Sequence, residues 1–324
     1  MVVRNPALYV FVVLSSTGGL LADHGPGTTG GSAETKSGET TKAGEFGFNL
    51  RFNFTQYESL SDSELGGKAS ASRDDDPHVE ALRWAMLQTF ELSYGITDDF
   101  EVGASLGFYR ADDVREAEIH DGELVVMNLG DVVGMTDWWL NAKYRFLRGR
   151  YGHWSAYTGA KLPLGRDDVT GGEENARLDP SLQPGSGAFD FLLGTAYTYT
   201  LTEQLKLHTS VGYIYRTEND SFKIGDRLDY GLAVIYRLME EITQFPQINL
   251  VAEVNLQQLF KSELDNNRIS NSGGTVLFLS PGIQIGFTEN AAWTLSPRFP
   301  VLQELNDEQQ DTLFKVITGL TFHF

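Results

Sequence analysis

The chain has 324 residues, no cysteine and a formal net charge of −19, which leaves no disulfide or thiolate metal site and makes nucleic acid a poor partner. Past the N-terminus no apolar run approaches the roughly 18 residues that a spanning helix needs. The 20 Phe and 13 Tyr favour strands, and a membrane barrel, whose strands are only half apolar, stays open.

Met1 to Ala22 read as a secretory signal: Arg4 lies in a short basic region, an apolar core runs from Ala7 to Leu14, and a cut is expected after Ala22. Leu20 is bulkier than that cut prefers. Asp23 to Ala43 is rich in Gly, Thr, Ser and Lys and has no periodicity, so a flexible periplasmic leader is expected over 23–43. Residues 44–324 follow as one unit.

From Phe46 onward apolar residues recur at every second position. Phe46, Phe48, Leu50, Phe52 and Phe54 share one face, opposite Gly47, Asn49, Arg51 and Asn53. Similar runs start at Leu82, Phe100, Trp138, Trp154, Phe189, Leu205, Leu228, Ile248, Leu277 and Trp293, and the last ends at Phe324. The pattern predicts about twelve strands. Pro281, Pro297 and Pro300 each forgo a ladder hydrogen bond and are expected at bulges or strand ends.

Most runs last about ten residues, the length a tilted strand needs to cross the hydrocarbon layer, whereas soluble strands stop sooner. Short links near residues 95–99, 147–152, 200–204, 239–246 and 287–291 alternate with long ones near 58–79, 110–131, 164–186, 217–226, 261–274 and 302–311. Such alternation, with Trp and Tyr near run ends, predicts an all-β transmembrane antiparallel up-and-down β-barrel of the outer membrane. Its partners would be outer-membrane lipid, small-molecule cargo and, through Phe324, the barrel-assembly machinery.

The acidic residues concentrate in the long loops. The phase turns Arg51, Arg83, Lys143, Arg145, Lys161, Lys206, Arg216, Arg237, Arg298 and Lys315 inward, against Glu91, Glu101, Asp137, Asp190, Asp229 and Glu253. Charges at this depth need water or an opposite charge. Arg51, Glu253 and Arg298 lie nearest mid-strand and are candidates for a constriction. Twelve strands leave a narrow lumen, and the third long loop, Gly165 to Gly187, is expected to fold inward.

Catalysis is not expected. His153-Trp154-Ser155 has the spacing of the outer-membrane phospholipase pair, but no Asn or Asp can be placed beside His153. No cofactor or metal is predicted.

Four short motifs then carry a resemblance. These are Asp23-His24-Gly25-Pro26-Gly27-Thr28, Tyr94-Gly95-Ile96-Thr97-Asp98, Lys143-Tyr144-Arg145-Phe146 and Lys161-Leu162-Pro163-Leu164-Gly165. In their order they resemble the transporter-like outer-membrane family named for a MetA-pathway of phenol degradation. That resemblance implies passive passage of small, aromatic or hydrophobic compounds, and no catalytic residues. The alternative is a non-transporting surface barrel whose acidic loops bind cations or a partner.

Overall fold

A computed structural model describes residues 32–73, 78–120, 123–149, 152–172, 175–239 and 245–324. The expected signal, Met1 to Ala22, lies outside the described residues.

Twelve strands build the wall: β1 (Phe46–Tyr57), β2 (Trp84–Thr97), β3 (Phe100–His120), β4 (Trp138–Gly149), β5 (Gly152–Leu162), β6 (Asp190–Thr200), β7 (Leu205–Arg216), β8 (Arg227–Arg237), β9 (Gln247–Leu259), β10 (Gly274–Thr288), β11 (Ala291–Leu305) and β12 (Thr312–His323). Each pairs antiparallel with its sequence neighbours. β12 returns to β1, from Gly47 opposite His323 to Tyr57 opposite Thr312, so the barrel is closed. Closure leaves no strand edge unpaired in lipid.

The burial of the two faces separates this barrel from a soluble sandwich. The apolar set is exposed: Leu92, Phe108, Tyr144, Phe191, Leu193, Leu232 and Phe299 all look outward. The polar set is buried: Glu101, Lys143, Ser155, His208, Glu253, Gln284 and Arg298 face the interior. An apolar exterior around a charged interior suits lipid as the surrounding solvent.

The prolines divide. Pro300 sits at a register shift near the outer end of β11, as expected. Pro281 and Pro297 are mid-strand instead. Pairing between β10 and β11 stops at Leu279–Phe299 and resumes at Ile283–Leu295, whereas Pro281 still pairs toward β9 and Pro297 toward β12. Both missing donors therefore fall in one shared gap, and the outer ladders are spared.

Two long links are structured. Residues 58–79 contain helix α1 (Asp62–Ala71), started by a capping box in which Ser61 and Glu64 satisfy each other's backbone. β3 overshoots the wall and pairs back with the strand Glu123–Met135 as an outer hairpin, joined by the short strand His78–Ala81. Leu60, Leu65, Ala69, Val79, Ala81 and Ala117 form the apolar contact beneath α1.

Candidate functional site: a lumen filled by the N-terminal segment

The expected leader does not hang free over its described part. Residues 32–43 enter at the periplasmic rim and climb inside the barrel to mid-height. At the rim, Gly44 N–H donates to the Gly95 carbonyl at 2.8 Å. Higher up, Thr41 N–H donates to Glu101 at 2.6 Å and Gly38 N–H to the Thr198 hydroxyl at 2.9 Å. Lys36 N–H then donates to the Ser210 hydroxyl at 3.1 Å. At the top Glu253 accepts from the backbone N–H groups of Ala33, Glu34 and Thr35 and from the Thr35 hydroxyl. An irregular segment with small side chains satisfies its backbone on the polar wall, so low periodicity here accompanies a bound segment.

The proposed constriction residues meet on this segment. Glu34 lies between Arg51 at 3.5 Å and Arg298 at 3.6 Å, while Glu253 holds the neighbouring backbone. The Arg298 guanidinium also lies over the Phe278 ring, 4.5 Å from its centre, with the Lys315 ammonium at 5.0 Å from the same ring. Lower down Lys206 pairs with Glu39 at 3.3 Å, and Lys143 with Glu101 at 3.9 Å. Glu91 stands in the field of Lys36 and Arg51.

Other predicted lining residues lie nearer the ends. Arg145 bonds Asp99 at 2.8 Å and the Asp98 carbonyl at the periplasmic rim, where Arg237 also donates to the Met239 carbonyl. Lys161 pairs with Asp137 and Asp190 toward the outer end, and Asp229 takes Arg227 at 2.8 Å.

Arg83 is a correction. β2 begins at Trp84, so the alternation does not reach back to Arg83, and Leu82 is the buried residue. Arg83 is exposed on the outer rim, where it pairs with Asp112.

The outer mouth is covered as well. Val169, Leu178 and Leu182 of the third loop bury against Tyr57, Leu87 and Tyr109, inward-facing residues at the outer ends of β1–β3. Asp179 of the same loop is buried too. Burial, with the charge of Glu116 adding to it, pushes its carboxyl well above the usual range. Between the two closures a cavity of about 60 Å³ remains beside residues 32–36, lined by Tyr157, Asp229 and Asn255 among others. That is room for a few waters.

The wall was legible, whereas the segment that fills it was missed. Its one advance signal was the set of inward charges, which call for partners that Glu34 and Glu39 supply to Arg51, Arg298 and Lys206 and that Lys36 supplies to Glu91. Among the described residues no hydrogen bond joins His153 to Ser155, whose hydroxyl has no partner.

A closed twelve-stranded barrel with an apolar exterior and a polar, occupied lumen is an outer-membrane β-barrel. By its sequence the chain belongs to the family described as "Putative MetA-pathway of phenol degradation", whose model matches residues 88–301, about two thirds of its length. The fold is similar to that of an outer membrane channel from Pseudomonas putida F1 (TM-score 0.60, 15% identity), covering 88% of this chain and 97% of that one. A weaker likeness, with TM-score 0.45 and 10% identity, is to the toluene transporter TodX of Pseudomonas putida, over 88% of this chain and 90% of that one. No curated protein matches the sequence.

Proposed function

We propose that this barrel is a channel for passive passage of small molecules across the outer membrane, held shut at rest by residues 32–43. The observation that carries the reading is the nature of the closure. The lumen is wide enough to hold a length of chain, and hydrogen bonds, ion pairs and the Lys36 ammonium over the Tyr157 ring hold that chain there. A wall built as a solid anchor would be filled by its own side chains, as small barrels are. The family description supports aromatic or otherwise hydrophobic compounds as cargo, and no residue of the lumen is assigned a catalytic role. The barrel-assembly machinery is the partner proposed for the β12 end, where Phe324 is exposed.

The test is recording in planar bilayers of the full mature chain and of a barrel lacking residues 32–42. The full chain is expected to conduct little, with brief openings, and the shortened one steadily. Flux of phenol and toluene into liposomes should rise in parallel. A shortened barrel that neither conducts nor passes solute rejects the channel and leaves the surface-anchor reading.

A further inference from the structure

The outer hairpin has two unlike faces. On the ladder between His78–Ala81 and β3, His78 stands opposite Glu118 and Glu80 opposite Glu116. Residues two apart share a face, so these four side chains stand together, while Val79, Ala81 and Ala117 turn toward α1. The third loop roofs the polar face. Its buried Asp179 lies in the field of Glu116 and beside Glu80, and its Ser181 hydroxyl donates to Glu80 Oε1 at 3.3 Å. His78 and Glu80 are 3% and 1% exposed. Carboxylates directly opposite each other repel, and removing them from water adds to the cost.

The geometry is that of a donor set. His78 Nδ1 lies 2.8 Å from Glu116 Oε1 and 3.4 Å from Glu118 Oε2, and one ligand atom from each of the three falls within 4.8 Å of the others. Metal–ligand bonds of about 2.0–2.1 Å in a tetrahedron put neighbouring ligand atoms roughly 3.3 Å apart. Unpartnered buried polar atoms border the same ladder. The wholly buried Asn271 donates from Nδ2 to the His78 carbonyl at 2.8 Å, and its Oδ1 has no partner among the described residues. The buried Tyr109 hydroxyl, in the field of Glu80, is likewise unpartnered.

We propose that His78, Glu116 and Glu118 bind a divalent transition-metal ion of the zinc class, with Glu80 and Asp179 standing behind them. An imidazole donor favours zinc-class ions, because calcium and magnesium take oxygen ligands. The ion would tie the outer hairpin to the strand beside it, under the loop that covers the mouth. The site is independent of whether the barrel conducts.

The full mature barrel, stripped with EDTA, is titrated with ZnCl2 by calorimetry, and its bound zinc is measured. One equivalent at micromolar affinity or tighter is expected. Glu116→Gln and, at the more exposed ligand, Glu118→Gln should each weaken binding at least tenfold. His24→Ala should leave it unchanged, which separates this site from the mature N-terminus. Heat-modified electrophoretic mobility checks that each variant is folded. No zinc uptake, uptake untouched by both Gln variants, or a preference for Ca²⁺ would overturn the proposal.

Discussion

Glu253 shows how one side chain can hold a stretch of backbone. Its two oxygens accept four donors from residues 33–35, and hydrogen bonds to a charged acceptor contribute about 1.5–3 kcal/mol each. In Glu253→Gln the amide NH2 would face backbone donors that it cannot accept from. The top of the segment should detach while the wall stays closed, seen as new protease cleavage between residues 32 and 38 in folded barrels. An uncleaved variant would mean that the pairs of Glu34 with Arg51 and Arg298 suffice.

At the lower end a glycine decides the fit. A Cβ at Gly38 would collide with the His153 carbonyl, and one at Gly95 with the Lys42 carbonyl. Gly38→Val alters no wall residue, so it should raise bilayer conductance toward that of the shortened barrel. Unchanged conductance would show that the segment can shift sideways at that level.

The strands were readable as elements because lipid enforces an unbroken period of two on one face of each. Phe46 to Phe54 needed no knowledge of any partner strand. Features that depend on pairing between distant residues could not be read in this way. His78 meets Glu118 only through the register of a hairpin that overshoots the wall. The segment that fills the lumen binds in part through main-chain N–H groups, which no side-chain pattern reports. Helix α1 was legible in principle, because Ser61 and Glu64 have capping-box spacing. Those two residues carry the next prediction. The Ser61 backbone and side chain hold the Glu64 carboxyl below its usual range, so the cap is complete above that range and is lost as pH falls through the lowered value. Ser61→Ala should speed hydrogen exchange at Leu65, whose N–H donates to the Ser61 carbonyl. Exchange unchanged from wild type would mean that packing alone holds the helix.

Over the whole molecule, net charge and local charge run in opposite directions. The chain carries −19, yet withdrawing residues 32–43 removes Glu34 from Arg51 and Arg298 and Glu39 from Lys206. Lys36 leaves Glu91 at the same time, so the departing segment, with two acids and two bases, is neutral, and the vacated lumen keeps the basic surplus of the wall itself, centred on Arg51, Arg298, Lys206 and Lys315. Reversal potentials of the shortened barrel in a KCl gradient should therefore report anion preference, weakening at high salt as screening grows. Cation preference would place the selective region in the acidic outer loops instead.

Joining β1 to β12 brings the two ends of the wall's sequence together, and this sets an order of events at assembly. Residues 32–43 are made before any strand, but the enclosure that receives them is complete only when the final strand zips to the first. Until that seam forms the segment has no home, so every newly inserted copy must pass through a stage in which its N-terminal end is still unhoused. If residues 32–43 shut the channel as proposed, sealing it therefore waits on the β1–β12 seam.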